Sequence, residues 1–501
     1  MTMVSRVLGF IRDIVIAKTF GTTVAADVFF VAFKIPNLFR RLFAEGAFSQ
    51  AFIPVLTESK ANGDKVKVVD YIGATAGVLS LALFFVVAFG VLTAPVFIAL
   101  FAPGFTQDLE KWELATLMLR ITFPYLMFIS ITALFGSVLN TYGRFTIPAL
   151  TPALLNVAMI GAALYLAPLL KQPIVALGIG VLVGGILQFI IQLIAVIRLG
   201  IFRRITFNFF HPGVRQTLRL MGPAIFGVSV AQINLMIDTL IASFLETGSI
   251  SWLYYSDRLV EFPLGVFGIA LATVVLPSLA QSHTQGQPQN FSATLDWALR
   301  LVLLISLPAA TALAFLAEPI LSALFQYGVM TERDVMMAGQ SLIAYSCGLT
   351  AFIMVKILAP GFYAKQDTRT PVRIGVIAMG VNVILNLALV GLFAHAGLAL
   401  ATSLAAFINA GLLLKALIVN GSYRPGRGWA TYILKVSIAT GVMCLVLLAL
   451  SETQATWTAA TAFTRGMMLA KLITTGAVSY FLCAFLFGLR PRFFMQPIEK
   501  H

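Results

Sequence analysis

Apolar stretches of about twenty residues recur from one end of this 501-residue chain to the other, the length an α-helix needs to cross a bilayer core of roughly 30 Å. Fourteen can be drawn, at approximately 3–20, 25–55, 72–100, 113–141, 148–169, 174–197, 217–245, 250–280, 295–317, 336–362, 372–394, 397–419, 429–450 and 465–488. In lipid, a backbone satisfies its own hydrogen bonds only as a helix or a closed barrel. The expected fold is therefore an all-α polytopic membrane protein with fourteen transmembrane helices. With 59% hydrophobic and 11% charged residues, the chain lacks the polar surface of a water-soluble domain. The first stretch is interrupted by Arg6, Arg12 and Asp13, unlike the unbroken apolar core of a cleavable signal peptide.

The short loops give the orientation. Connections after even-numbered stretches hold Lys60, Lys65, Lys67, Arg144, Arg198, Arg203, Arg204, Arg215, Arg219, Lys365, Arg369, Arg373, Arg424 and Arg427, with Arg490, Arg492 and Lys500 in the tail. Those after odd-numbered stretches hold little beyond Lys111, Lys171 and Arg333. The positive-inside rule then places both termini in the cytoplasm. The net charge of +14 mostly reflects this asymmetry and suits anionic lipid headgroups rather than nucleic acid. Cys347, Cys444 and Cys483 show no pairing pattern, and His211, His283, His395 and His501 show no metal-ligand spacing.

An internal repeat organises the chain. Ala94-Pro95-Val96-Phe97-Ile98-Ala99-Leu100-Phe101 matches Glu318-Pro319-Ile320-Leu321-Ser322-Ala323-Leu324-Phe325 at an offset of 224, and Pro54 matches Pro277 at 223. A period of six helices, an even number, gives two lobes of the same orientation related by a pseudo-two-fold axis along the membrane normal. The expected lobes are 1–200 (helices 1–6) and 214–420 (helices 7–12), with helices 13 and 14 at 428–490 outside the repeat. Two such bundles around a cavity that opens to alternate faces form a transporter architecture.

Charges inside the apolar stretches mark the candidate site, because an unpaired Arg at the centre of an inserted helix costs about 2.5–3.5 kcal/mol. In helix 2, Asp27, Lys34, Asn37 or Arg41, and Glu45 share one α-helical face, with Arg40 at its margin. Helix 8 carries Asp257, Arg258 and Glu261 just before Pro263 and Gly265, where a kink is expected. Helix 1 adds Ser5, Arg6, Arg12 and Asp13. Guanidinium groups match phosphate bidentately and stay charged, so such a cluster suits an anionic, diphosphate-like ligand. The same residues also read as ion pairs holding helices in register: Arg6 with Asp13, Lys34 with Asp27, Arg41 with Glu45 and Arg258 with Glu261. Asp238 and Lys356 admit either a cavity or a packing role. Gly178, Gly180, Gly184 and Gly185 read as close helix packing. No phosphate-binding loop, nucleophile–base pair or metal cluster points to an enzyme.

The runs Ser5-Arg6-Val7-Leu8-Gly9-Phe10-Ile11-Arg12-Asp13, Asp27 through Phe52, and Tyr254-Tyr255-Ser256-Asp257-Arg258-Leu259-Val260-Glu261-Phe262-Pro263 resemble the bacterial lipid II flippase family, known as MurJ or MviN, of the multidrug/oligosaccharidyl-lipid/polysaccharide exporter superfamily. The resemblance covers essentially the whole chain. It implies a cationic central cavity through which lipid II, the undecaprenyl-diphosphate-linked peptidoglycan precursor, or a related glycolipid, crosses the bacterial cytoplasmic membrane. Arg6, Arg12, Arg40 and Arg258 match the family's cavity arginines, and Ser5, Asp27, Lys34, Asn37, Arg41, Glu45 and Glu261 match its other polar positions. It further implies that helices 13 and 14 form a groove for the lipid tail, and that the partners are membrane lipids and the peptidoglycan synthesis machinery. No cofactor is implied, and in the absence of a nucleotide-binding motif the driving force is expected to be the membrane potential or a coupling ion that the sequence does not identify.

Overall fold

The computed structural model describes residues 2–61, 63–202 and 204–489, so Arg203, Arg490, Arg492, Lys500 and His501 lie outside the described residues. Every regular element among the described residues is helical. By contacts the chain divides between Ser251 and Trp252 into two compact units. The first holds α1 (Thr2–Phe20), α2 (Val24–Phe39), a nine-residue π-helix (Arg40–Phe48), α3 (Ser49–Ala61), α4 (Lys65–Leu92), α5 (Ala94–Phe101), α6 (Leu109–Thr122), α7 (Tyr125–Thr141), α8 (Thr146–Gly161), α9 (Val175–Arg198) and α10 (Pro212–Ala242). The boundary falls inside α11 (Ser249–Pro263). The second unit continues with a π-helix (Leu264–Gly268), α12 (Ile269–Thr284), α13 (Pro288–Phe315), α14 (Ala317–Leu324), α15 (Glu332–Tyr363), α16 (Arg369–Val419), α17 (Trp429–Leu450), α18 (Gln454–Ala459) and α19 (Ala462–Leu486).

Among the described residues, ten helical stretches are long and apolar enough to cross a membrane. One of them, α16, is 51 residues long and contains a break at Ala394, where φ is 46° and ψ is −127°. At 1.5 Å per residue its length is roughly 76 Å, more than twice a bilayer core. The break is what lets this stretch serve as two helices.

The internal repeat reappears as matched elements. The starting residues of α4 and α13, of α5 and α14, of α6 and α15, and of α8 and α16 each differ by 223. The two repeat strings fold into α5 and α14, each eight residues long. Of the three π-helical segments among the described residues, those starting at Arg40 and Leu264 fall at matching positions, a difference of 224, while the third, Ala162–Leu166, continues α8. α10, which the repeat counts with the second half, packs in the first unit against the Arg40–Phe48 segment and α3.

Local chemistry fixes the helix ends. Thr331 and Asp334 form a reciprocal capping box on α15. Exposed Asp64 accepts from the backbone N–H groups of Val66 and Lys67 ahead of α4, and the Lys67 N–H holds its carboxyl below the ordinary carboxylate range. The glycines of α9 set its distance from α8: a Cβ on Gly180 would sit 3.1 Å from Met159 Cα, and one on Gly184 would sit 2.9 Å from Leu155 Cα.

In the second unit, Asp296 of α13 gathers the entry to α17. Its Oδ1 accepts from Tyr423 Oη at 2.9 Å, Gly426 N at 2.9 Å and Trp429 Nε1 at 2.7 Å. Arg465 of α19, buried, donates to the carbonyls of Ser322 (3.1 Å), Gln326 (2.8 Å) and Thr458 (2.9 Å). Its guanidinium thus answers carbonyls at the end of α14, where a cation complements the helix dipole.

Ala394 occupies a backbone region that an L side chain adopts at a cost on the order of 1 kcal/mol or more. Ala394→Gly is expected to raise the melting temperature of the purified protein, and Ala394→Val to lower it. A lower melting temperature for the glycine variant would refute the strain.

Candidate functional site

The charged residues of α1 are tied to α8. Arg12, 7% exposed, donates from Nε (3.0 Å) and Nη2 (2.7 Å) to Oδ1 of Asp13, itself 2% exposed. Its Nη1 donates to Asn156 Oδ1 at 3.0 Å, and Asn156 Nδ2 donates to the Ser5 carbonyl at 3.1 Å. Asn156 therefore orients the Arg12 fork while holding the start of α1. Arg6 lies exposed on the same helix.

In α2 the expected partnership of Lys34 with Asp27 is replaced by two others. Asp27 is 1% exposed and accepts from Gly248 N (2.7 Å), Ser251 N (2.9 Å) and Ser251 Oγ (2.6 Å). It thereby caps the N-terminus of α11, where backbone N–H groups and the helix dipole favour a carboxylate. Lys34 Nζ donates to Thr239 Oγ1 of α10 at 3.1 Å. Asp13 likewise takes its adjacent Arg12, where the helical spacing suggested Arg6.

The helix carrying these residues is not α-helical throughout. Pro36 cannot serve the carbonyl of Ala32, which instead lies 3.1 Å from Thr122 Oγ1 of α6. Asn37 Nδ2 donates to the Phe33 carbonyl at 2.9 Å, and Asn37 Oδ1 accepts from Arg40 Nε at 3.0 Å. The π-helix begins at Arg40. A π turn takes more residues than an α turn, so the single α-helical face drawn from Asp27 through Glu45 does not carry past Arg40. Arg41, exposed, extends Nη1 to Gln232 Oε1 of α10 at 3.5 Å. The side chain of Glu45 lies outside the described residues.

In the second unit, Arg258 Nη1 donates to Glu261 Oε2 at 2.7 Å, one helical turn on. The guanidinium carbon stands 5.0 Å from the ring centroid of Tyr254, and Nη2 reaches Tyr254 Oη at 3.4 Å. Asp257 is exposed beside it. Pro263 ends this segment and a further π-helix begins at Leu264, so the irregularity expected there takes the form of a π segment.

Asn156, Thr239 and Tyr254 are the partners that sequence reasoning passed over. For Asn156 a signal exists: it is an amide within an otherwise apolar helix, where a polar group must find a partner. Thr239 carries no such signal, since a Thr in a membrane helix usually bonds its own backbone. Among the described residues no group of three or more His, Cys, Asp or Glu converges on a metal-sized site.

Residues 16–468 match the family model described as lipid II flippase MurJ. The chain is 48% identical over 497 residues to a probable lipid II flippase MurJ of Vibrio cholerae, covering 98% of this chain and 95% of that protein. It is similar to a solved structure of lipid II flippase MurJ in an inward closed conformation, with a TM-score of 0.83, 29% identity and 97% of each chain covered. It shares the fold of an inward-facing multidrug resistance MATE family transporter of the MOP superfamily, with a TM-score of 0.70, 12% identity, and 83% of this chain and 95% of that one covered.

Asn156→Leu removes two buried hydrogen bonds, one of them to a charged group, and should cost about 2–4 kcal/mol. A drop of a few degrees in the melting temperature of the purified protein is expected, larger than for Asn156→Gln. Equal melting temperatures for wild type and Asn156→Leu would show that Asn156 does not anchor Arg12.

Proposed function

The chain belongs to the lipid II flippase MurJ family, and from that membership we propose that it moves lipid II from the inner to the outer leaflet of the bacterial cytoplasmic membrane. It is a transporter rather than an enzyme. The observation that carries the reading is 48% identity to a probable lipid II flippase over 98% of this chain, and arginines on its helices, Arg12 and Arg258 foremost, support it. A diphosphate offers these forked donors the acceptor geometry they match best.

The same reading assigns fourteen membrane crossings. The ten apolar stretches become eleven when α16 is divided at Ala394, and α1, the run from α2 through α3, and α10 supply the other three. α1 and the run from α2 through the π-helix carry most of the charged and polar residues assigned to the site. With an even number of crossings and basic short loops, both termini lie in the cytoplasm. Two lobes of six helices rock about a cationic cavity to which Arg6, Arg12, Arg40 and Arg258 contribute, while Ser5, Asp13, Asp27, Lys34, Asn37, Arg41, Glu45, Asp257 and Glu261 set its pairing and gating. α17 and α19 hold the polyprenyl tail, which has no reason to leave the hydrocarbon, while the headgroup crosses in a wet chamber.

In this cycle Asp13 and Glu261 occupy the guanidinium forks until the diphosphate displaces them. Arg12→Ala and Arg258→Ala are each expected to lower transport about tenfold to a hundredfold, the worth of a charge-assisted contact, while the protein remains folded in the membrane. Normal transport by both variants would remove the cationic cavity from the mechanism.

Depleting the protein in cells that contain no second flippase should make lipid II accumulate in the inner leaflet and vanish from an outer-leaflet probe that cannot enter the cytoplasm. An unchanged leaflet distribution would redirect the assignment to a different undecaprenyl-linked glycan or to an antiporter of the same superfamily.

A further inference from the structure

Within the first unit, a pocket of about 230 Å³ lies among α3, α7, α8 and α9, with no arginine in its lining. Its polar lining includes Gln188 and Gln192 of α9, 1% and 3% exposed and one helical turn apart. Hydrogen-bond logic fixes how both amides point. Gln188 Nε2 lies 3.1 Å from the Thr151 carbonyl, which can only accept, so the nitrogen faces it. Gln192 Nε2 lies 3.0 Å from Thr151 Oγ1, whose own proton goes to the Ile147 carbonyl at 2.7 Å, so this oxygen too can only accept.

Both Oε1 atoms are thus left buried without a protein partner. The neighbouring hydroxyls do not supply one, because Thr132 and Ser137 donate to the carbonyls of Phe128 and Ala133. The inner wall therefore offers acceptors and needs donors. It includes no carboxylate, and much of the remaining lining is apolar, including Ile129 and Pro148. A bare cation there would be uncompensated at membrane depth, whereas a neutral donor group flanked by apolar carbon fits. Exposed Asn140 and half-buried Ser49, the latter just past the charged π-helical segment, also line this pocket.

We propose that this pocket is a subsite for the uncharged, donor-bearing part of the transported headgroup, whose sugar hydroxyls or peptide N–H groups bond Gln188 Oε1 and Gln192 Oε1. The assignment rests on the carrier reading above and adds to it a source of headgroup discrimination that the diphosphate, common to all such lipids, does not provide. A site whose buried acceptors go unanswered rejects a ligand lacking the donors.

Binding of three lipids to the full-length protein in nanodiscs tests it: undecaprenyl diphosphate, its disaccharide derivative without peptide, and the disaccharide-pentapeptide lipid. The double variant Gln188→Met with Gln192→Met should weaken the full lipid about tenfold or more and leave undecaprenyl diphosphate unchanged. Loss already present with the disaccharide assigns the sugar, and loss confined to the pentapeptide lipid assigns the peptide. Gly136→Ser gives a second route. A Cβ there would stand 3.3 Å from Gln192 Oε1, and its hydroxyl would answer that oxygen from within, so the protein should fold yet bind the full lipid more weakly.

Equal losses for all three lipids, or none, would overturn the subsite. So would sodium- or potassium-dependent binding of undecaprenyl diphosphate that the double variant abolishes, since the pocket would then hold a cation. A wild type that binds none of the three lipids would overturn the carrier reading itself.

Discussion

A charge on a helix apolar enough to lie in lipid has to be answered by the protein, and this requirement fixes more of the structure than apolar packing does. Each answer joins elements distant in sequence. Arg12 with Asn156 ties α1 to α8, Lys34 with Thr239 ties α2 to α10, and Asp27 ties α2 to the start of α11. Arg465 ties α19 to the end of α14 and to Thr458 of α18. Dispersion between apolar helices is nearly matched by lipid, so directional bonds of this kind are what select one helix neighbour over another.

Two of the three π-helical segments among the described residues follow the repeat, the exception being Ala162–Leu166. The matching two lie directly after the charged part of α2 and directly after α11. A π segment turns the side chains beyond it relative to those before it and loosens the backbone ladder. On the first helix this leaves Lys34 and Arg41 bonded to α10 while Ser49 meets Ser137 of α7 at 3.4 Å. One continuous helical run thereby serves the charged surface and the neutral pocket, a division of labour that an unbroken α-helix of this spacing would not give.

Much of this was legible in the residues, and the reasons for the rest are specific. Length and apolarity announced the ten apolar stretches, and the strings that revealed the repeat coincide to within a residue with α5 and α14, which the spans drawn from hydropathy did not separate. The charged positions were equally visible, because a charge in an apolar run stands out. Their partners were not. Helical spacing proposed Lys34 with Asp27 and Arg6 with Asp13, yet a carboxylate beside exposed helix N-terminal N–H groups prefers them, and Arg12 lies nearer to Asp13 than Arg6 does. The answering groups are mostly neutral, Asn156, Thr239 and Ser251, and neutral polar residues are common enough in membrane helices to carry little signal. π-helix formation has no spacing signature, which is why the single face drawn through Glu45 failed beyond Arg40.

The pairing pattern also bears on how a carrier of a diphosphate lipid avoids holding its cargo too tightly. Arg12 and Arg258 each present their fork to an adjacent carboxylate, one buried and one partly exposed. If these arginines meet the diphosphate as proposed, the ligand must displace these bonds before it gains its own, so most of its attraction to the guanidinium is offset by the pair it breaks and binding stays reversible. Unpaired arginines would bind any phosphate in the cytoplasm. An arginine already paired favours a ligand that brings further contacts, because only the sum of those contacts exceeds the bond given up.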